Sequence, residues 1–172
     1  ENARLHSELG EAYEFNGQYN DAMMEYKKAE YLDPNNPAIH FKIAKDLETR
    51  GKFEEALAKY EAVKELDKGN VELYYRCGKL YQRLEMMEEA LREFENIARM
   101  KPDWLEIRYE LARLYGDKGQ YDLQIKEYEA IAAHDTSSSE IMNSLAASYG
   151  ANGDLDKAIE CYKQALESNP ED

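Results

Sequence analysis

The chain repeats itself every 34 residues, and that period constrains its fold more than any other feature. In a frame opened at Ala3, position 8 reads Gly10, Ala44, Gly78, Ala112 and Ala146. Position 20 reads Ala22, Ala56, Ala90, Gln124 and Ala158, and position 24 reads Tyr26, Tyr60, Phe94, Tyr128 and Tyr162. Five copies, 3–36, 37–70, 71–104, 105–138 and 139–172, follow one another without insertion. A unit of this size cannot bury an apolar face alone and buries it against its neighbours, so the period predicts one solenoid array over 1–172. Architectures of this kind offer broad surfaces, which points to binding rather than chemistry.

Each copy reads as two helices. Leu5, Leu9, Ala12 and Tyr13 stand at helical spacing before Asn16-Gly17 interrupts them. Gly17, Gly51, Gly119 and Gly153 share one position, where glycine supplies the left-handed turn that ends a helix. Ala22, Tyr26 and Ala29 mark the second helix, which closes before Asp33-Pro34. Asn36-Pro37 places a cap before a first-turn proline, and Asp103 with Glu106 and Ser137 with Glu140 have capping-box spacing. Ten helices are expected near 3–16, 18–32, 37–50, 52–66, 71–84, 86–100, 105–118, 120–134, 139–152 and 154–167. Small residues at positions 8 and 20 let the pair approach, and the aromatic at position 24 fills the space beside them as core.

These residues, with Pro34, Pro102 and Pro170 closing three copies, resemble the tetratricopeptide repeat over residues 3–172. The resemblance implies an all-α, right-handed superhelix of five helix-turn-helix units. It implies first helices lining a concave groove that holds a peptide or partner helix, in an adaptor or scaffold without catalysis. Some members clamp a terminal carboxylate with a set of Lys, Asn and Arg. The three registers here, opening at Ser7, Phe41 and Tyr75, do not supply that set.

Several positions depart from the pattern. Gln124 replaces the small alanine and should loosen its helix pair. Glu85 stands where the turn glycine belongs, at a cost on the order of 1–2 kcal/mol if left-handed, so a remodelled turn is expected there. Lys68 and Thr136 replace the closing proline. Without a polar capping helix after Leu166, Leu155, Ile159, Tyr162 and Leu166 should be exposed, opening a route to self-association. The opening on Glu1 and the close inside a repeat read as a fragment of a longer protein.

Charge narrows the partner. The net charge of −14 disfavours nucleic acid and anionic membrane, and no apolar run reaches the roughly 18 residues of a membrane span. Each copy carries seven acids, but the copies' net charges run −4, 0, −1, −3 and −5, so basic residues concentrate in the second and third. Cys77 sits at a position otherwise held by Leu or Ile and Cys161 stands apart, so a disulfide framework is not expected and a reducing compartment is favoured. His6 and His40 share a packing position and His134 is alone, so no metal or cofactor is expected. Glu54-Glu55 and Glu88-Glu89 open second helices, where acids favour the helix dipole, and no catalytic motif is present.

Positions 5 and 9 of each first helix lie one turn apart on the inner face. Position 5 reads Ser7, Phe41, Tyr75, Tyr109 and Asn143, and position 9 reads Glu11, Lys45, Lys79, Arg113 and Ala147. Copies two to four therefore align aromatics with cations, and Lys42 and Arg76 stand alongside. This stripe fits a protein or peptide segment of acidic character, with Phe41, Tyr75 and Tyr109 as anchors. Two alternatives stay open. The cations can be neutralised by Glu72, Glu106 and Glu140 on the same face, or the array can be a self-associating spacer with nothing in its groove.

Overall fold

The computed structural model describes residues 2–134 and 138–168. Among them every regular element is a helix: α1 Ala3–Phe15, α2 Tyr19–Leu32, α3 Pro37–Thr49, α4 Phe53–Leu66, α5 Val71–Arg83, α6 Met87–Met100, α7 Leu105–Asp117, α8 Tyr121–Ala132, α9 Ser139–Asn152 and α10 Leu155–Ser168. Every end lies within two residues of the sequence expectation.

Local signals explain the boundaries. Asn2 caps α1 by accepting from the Arg4 N–H, and Asn36 caps α3 from the Ala38 N–H with Pro37 at the first helical position. The Asp103–Glu106 box does not form; α7 starts behind Trp104 without a side-chain cap. Ser138 caps α9 through the Ile141 N–H, while Ser137, Thr136 and Pro170 lie outside the described residues.

Gly17, Gly51, Gly119 and Gly153 take φ of +75°, +74°, +69° and +91°. Glu85 does not remodel its turn but adopts φ +60° itself. Its N–H reaches the Gln82 carbonyl at 3.2 Å and the Met86 N–H reaches the Tyr81 carbonyl at 2.9 Å, the pattern that Gly51 and Lys52 make at 3.0 and 2.9 Å. Keeping both bonds offsets the left-handed strain.

The chain divides into two compact units, Glu1–Glu93 and Phe94–Asp172. The core of the first gathers Ala22, Tyr26, Ile43, Ala44, Tyr60, Leu73 and Cys77 around fully buried tyrosines. A buried ring of this size hides roughly 150–250 Å², or about 4–6 kcal/mol of gross hydrophobic stabilisation at 25 cal/mol/Å². The second unit packs Ile125, Leu145, Ala146, Tyr149 and Ala158 in one cluster and Ile131, Ala132, Ile141 and Met142 in another. Tyr128 is half-buried against both clusters, and Tyr162 is exposed, as expected for the last helix. Gln124 is accommodated because Gly116 faces it: a Cβ built on Gly116 would collide with the Gln124 Nε2.

Fixed positions also tie each copy to the next. Tyr81 donates to Glu61 at 3.0 Å, Tyr115 to Glu95 at 2.8 Å and Tyr149 to Glu129 at 2.5 Å, always from position 11 to position 25 of the preceding copy. Where the tyrosine is Leu47 the glutamate is Lys27, so both members change together. Burial first, then the facing Glu61, pushes the Tyr81 hydroxyl up to about 12, keeping it a donor. Position 4 likewise bonds the carbonyl at position 32: His40 Nε2 to Pro34 at 2.7 Å, Tyr74 Oη to Lys68 at 3.1 Å and Arg108 Nε to Pro102 at 2.8 Å.

Candidate peptide-binding face

Within each unit the side chains expected to line the stripe have defined neighbours. On α3 Phe41 is half-buried, its ring edge-on to Tyr60 with centroids 5.5 Å apart. The Arg76 guanidinium from α5 stands 5.7 Å from the Phe41 ring centre and 5.9 Å from that of Tyr60. Arg76 also meets Glu48 at 3.1 Å and Glu72 at 2.8 Å. Lys42 donates to Ser7 Oγ at 2.9 Å and lies 3.1 Å from Glu11. Exposed Lys45 is only loosely paired, 3.8 Å from Glu14. One copy further on, Lys79 Nζ lies 5.8 Å from the Tyr75 ring centre. In the second unit the Tyr109 ring is edge-on to Tyr128 at 6.5 Å, and Arg113 lies 3.1 Å from Glu110 and 3.6 Å from Asp117.

Glu72 therefore neutralises a stripe cation as the sequence reading allowed, but Glu11, Glu14, Glu48, Glu110 and Asp117 were missed. Glu14 and Glu48 also accept from the core hydroxyls of Tyr26 and Tyr60 at 2.8 and 2.9 Å. Burial, followed by these carboxylates, raises both phenols far above their ordinary range, so each stays a donor. The signal was present as a Glu at position 12 matched to a Tyr at position 24 in the same two copies. Partly exposed ion pairs are worth about 0–1 kcal/mol, so an incoming carboxylate can take over a cation such as Lys45 at small cost.

Beside these charges opens a cleft of about 540 Å³, lined by apolar Pro37, Ala38, Phe41 and Val63 and by charged Glu11, Glu14, Lys42, Lys45 and Asp67. This volume falls in the range of roughly 300–1,000 Å³ typical of ligand pockets. Chemistry elsewhere is quiet. His6 Nδ1 lies 2.6 Å from Glu25 and His40 Nδ1 3.2 Å from Glu30. Burial, then Glu61, pushes the Cys77 thiol up to about 12, consistent with a core role. Among the described residues no three His, Cys, Asp or Glu converge on a metal position, and no helix is long and apolar enough to cross a membrane.

Comparison with known proteins agrees with the fold. Family profiles described as TPR repeat match residues 15–45 and 49–85, and those described as tetratricopeptide repeat match 71–103, 105–132 and 139–172. The chain belongs to the tetratricopeptide repeat family. No curated protein matches it. A crystal structure of MamA is 23% identical, with 98% of this chain and 92% of that one covered at a TM-score of 0.76. YrrB, described as a TPR protein with an unusual peptide-binding site, is 17% identical over 96% of this chain and 86% of its own, at a TM-score of 0.74. A tetratricopeptide repeat protein from Parabacteroides merdae is 20% identical over 99% of this chain and 68% of its own, at a TM-score of 0.76. At these identities the likeness is one of fold.

Proposed function

We propose that this chain is a non-catalytic protein-interaction scaffold whose first-helix face in the N-terminal unit takes an extended or helical peptide of acidic character. The cleft over Phe41 carries the reading, because it sets an apolar floor beside a loosely held cation. An aliphatic or aromatic side chain of the partner fills the space against Pro37, Phe41 and Val63. Burying about 100 Å² there is worth roughly 2.5 kcal/mol. A neighbouring carboxylate of the partner displaces Glu14 from Lys45, and a second, further along, meets Lys79 beside Tyr75. Charge-assisted bonds of this kind contribute about 1.5–3 kcal/mol, reduced by the pairs they replace. Lys42 and Arg76 hold neighbouring copies together and so position the face. Tyr109 and Arg113 give the C-terminal unit a face of the same chemistry. The YrrB description lends support, since that protein joins the same fold to peptide binding.

A random peptide library panned on the whole chain tests this. Enriched peptides should pair an apolar anchor with Asp or Glu. Calorimetry on such a peptide should show at least about tenfold weaker binding (1.4 kcal/mol) to the Lys45→Glu/Lys79→Glu variant, with its helical circular dichroism unchanged. Peptides without acidic bias, or affinity unmoved by the double reversal, overturn the proposal.

A further inference from the structure

Two neighbouring junctions inside the first unit are closed by charge pairs of opposite sense. In both, position 28 of one copy meets position 23 of the next. Between copies one and two the pair is Glu30 and Lys59, joined by a hydrogen bond. Between copies two and three it is Lys64 and Glu93, 2.9 Å apart, with cation and anion exchanged. Lys64 also lies 2.8 Å from Glu61, and its ammonium stands 5.2 Å from the Tyr74 ring centre.

Stability does not account for the second pair. Its side chains are only 10% and 11% exposed, and Oε2 of Glu93 is buried without a hydrogen-bond partner among the described residues. Taking two charges out of water costs about as much as their attraction gains, and an unsatisfied carboxylate oxygen tips that balance against the pair. The chain also contains an uncharged solution. In copies four and five the same two positions hold Ala132 and Cys161, both buried. A buried pair does supply selectivity, because a like-charged group in the partner's place is strongly unfavourable.

Selectivity matters here because the apolar faces of the copies are nearly alike. Ile39, Ile43 and Ala44 of copy two correspond to Leu73, Cys77 and Gly78 of copy three. Chain connectivity guards poorly against packing α2 on copy three, since the entropy of closing a loop grows only with the logarithm of its length. The charges do guard against it. In that arrangement Glu30 would face Glu93, and the Tyr81 hydroxyl would meet Lys27 instead of Glu61. Asn20, which Arg50 reaches at 3.1 Å, would face Leu84. Were copy two to pack on another copy two, Lys64 would face Lys59.

We propose that the opposed Glu30–Lys59 and Lys64–Glu93 pairs fix the order in which the copies stack, by rejecting arrangements that skip copy two. The device protects the cleft, because skipping copy two removes Phe41 and Lys45 from the array.

The substitutions Asn20→Cys and Leu84→Cys place two thiols that are separated in the native order and meet when copy two is skipped, inside one molecule or between two. Cys77 and Cys161 are buried and do not compete in the folded chain. The whole chain is refolded from urea and oxidised, and the 20–84 cross-link is counted by peptide mass spectrometry. With native charges the yield should be small. Glu30→Lys/Lys59→Glu gives both junctions one sense and should raise it at least about fivefold, as removing a like-charge clash requires. Lys64→Glu/Glu93→Lys should do the same from the other junction, and circular dichroism checks that each background folds. Equal yields in the three backgrounds overturn the proposal. Urea denaturation separates order from stability. Lys64→Leu/Glu93→Leu should keep or raise the native midpoint, whereas Lys64→Leu alone, which leaves Glu93 bare, should lower it. A double variant that falls as far as the single one overturns the proposal, because the pair would then serve stability.

Discussion

The hairpins of copies two and four solve one packing problem in opposite ways. In copy two the small residue is Ala56 on the second helix, and the facing Glu48 accepts from the fully buried Tyr60 at 2.9 Å. In copy four the second helix carries Gln124, the small residue is Gly116 on the first, and Tyr128 is half-buried. Space between two helices belongs to the pair, so either helix can provide it. The side that provides it decides whether the position-24 ring gains a carboxylate partner.

Removing the ring should break this comparison most sharply. Tyr60→Ala leaves a large cavity and should cost about 3–5 kcal/mol in urea denaturation, and Tyr128→Ala roughly half as much. Equal losses would show that the exposure difference does not govern stability. Next comes the exchange of solutions. Gln124→Ala alone should cost about 1 kcal/mol by opening space over Gly116. Adding Gly116→Glu should recover it by giving Tyr128 the acceptor that Tyr60 has, so a double-mutant cycle should show coupling of about 1 kcal/mol.

A smaller effect is expected where the first copy meets the second, which lacks the tyrosine–glutamate bond found at later junctions. Lys27→Glu with Leu47→Tyr should stabilise by about 0.5–1.5 kcal/mol, and only when both are present, read from thermal melts. The smallest effect concerns position 10, where copy two buries Asp46 and copy four buries Leu114. Burial first raises the Asp46 carboxyl above its ordinary value, against the pull of Arg50, whose Nε lies 2.7 Å away. A raised folded-state value means that the folded chain holds the proton more tightly. Stability from this group is present below the unfolded value and lost as pH rises through the folded one. Asp46→Asn should remove that decline from a stability–pH profile, while Leu114→Ala should leave it in place.

Much of this was legible in the sequence because a period is copied five times. Helix ends and left-handed glycines follow from register alone. What stayed hidden depends on pairs of positions. The Gln124 misfit is cancelled by Gly116, which departs from the pattern in the same copy. Glu85 keeps the glycine turn because two backbone bonds outweigh one strained residue. The acids that hold the stripe cations sit at positions that look like solvated surface until their partners are known. Tyr128, read as core, is only half-buried, whereas Tyr162 is exposed with Leu155, Ile159 and Leu166 as the sequence predicts.

His40, Tyr74 and Arg108 close the same loop with an imidazole, a phenol and a guanidinium. The carbonyl they reach asks only for a polar hydrogen at the right distance. Evolution can therefore drift through unlike chemistries at that site without unfastening the joint. Searches keyed to residue identity will miss such a hinge pin even where coordinates superimpose closely.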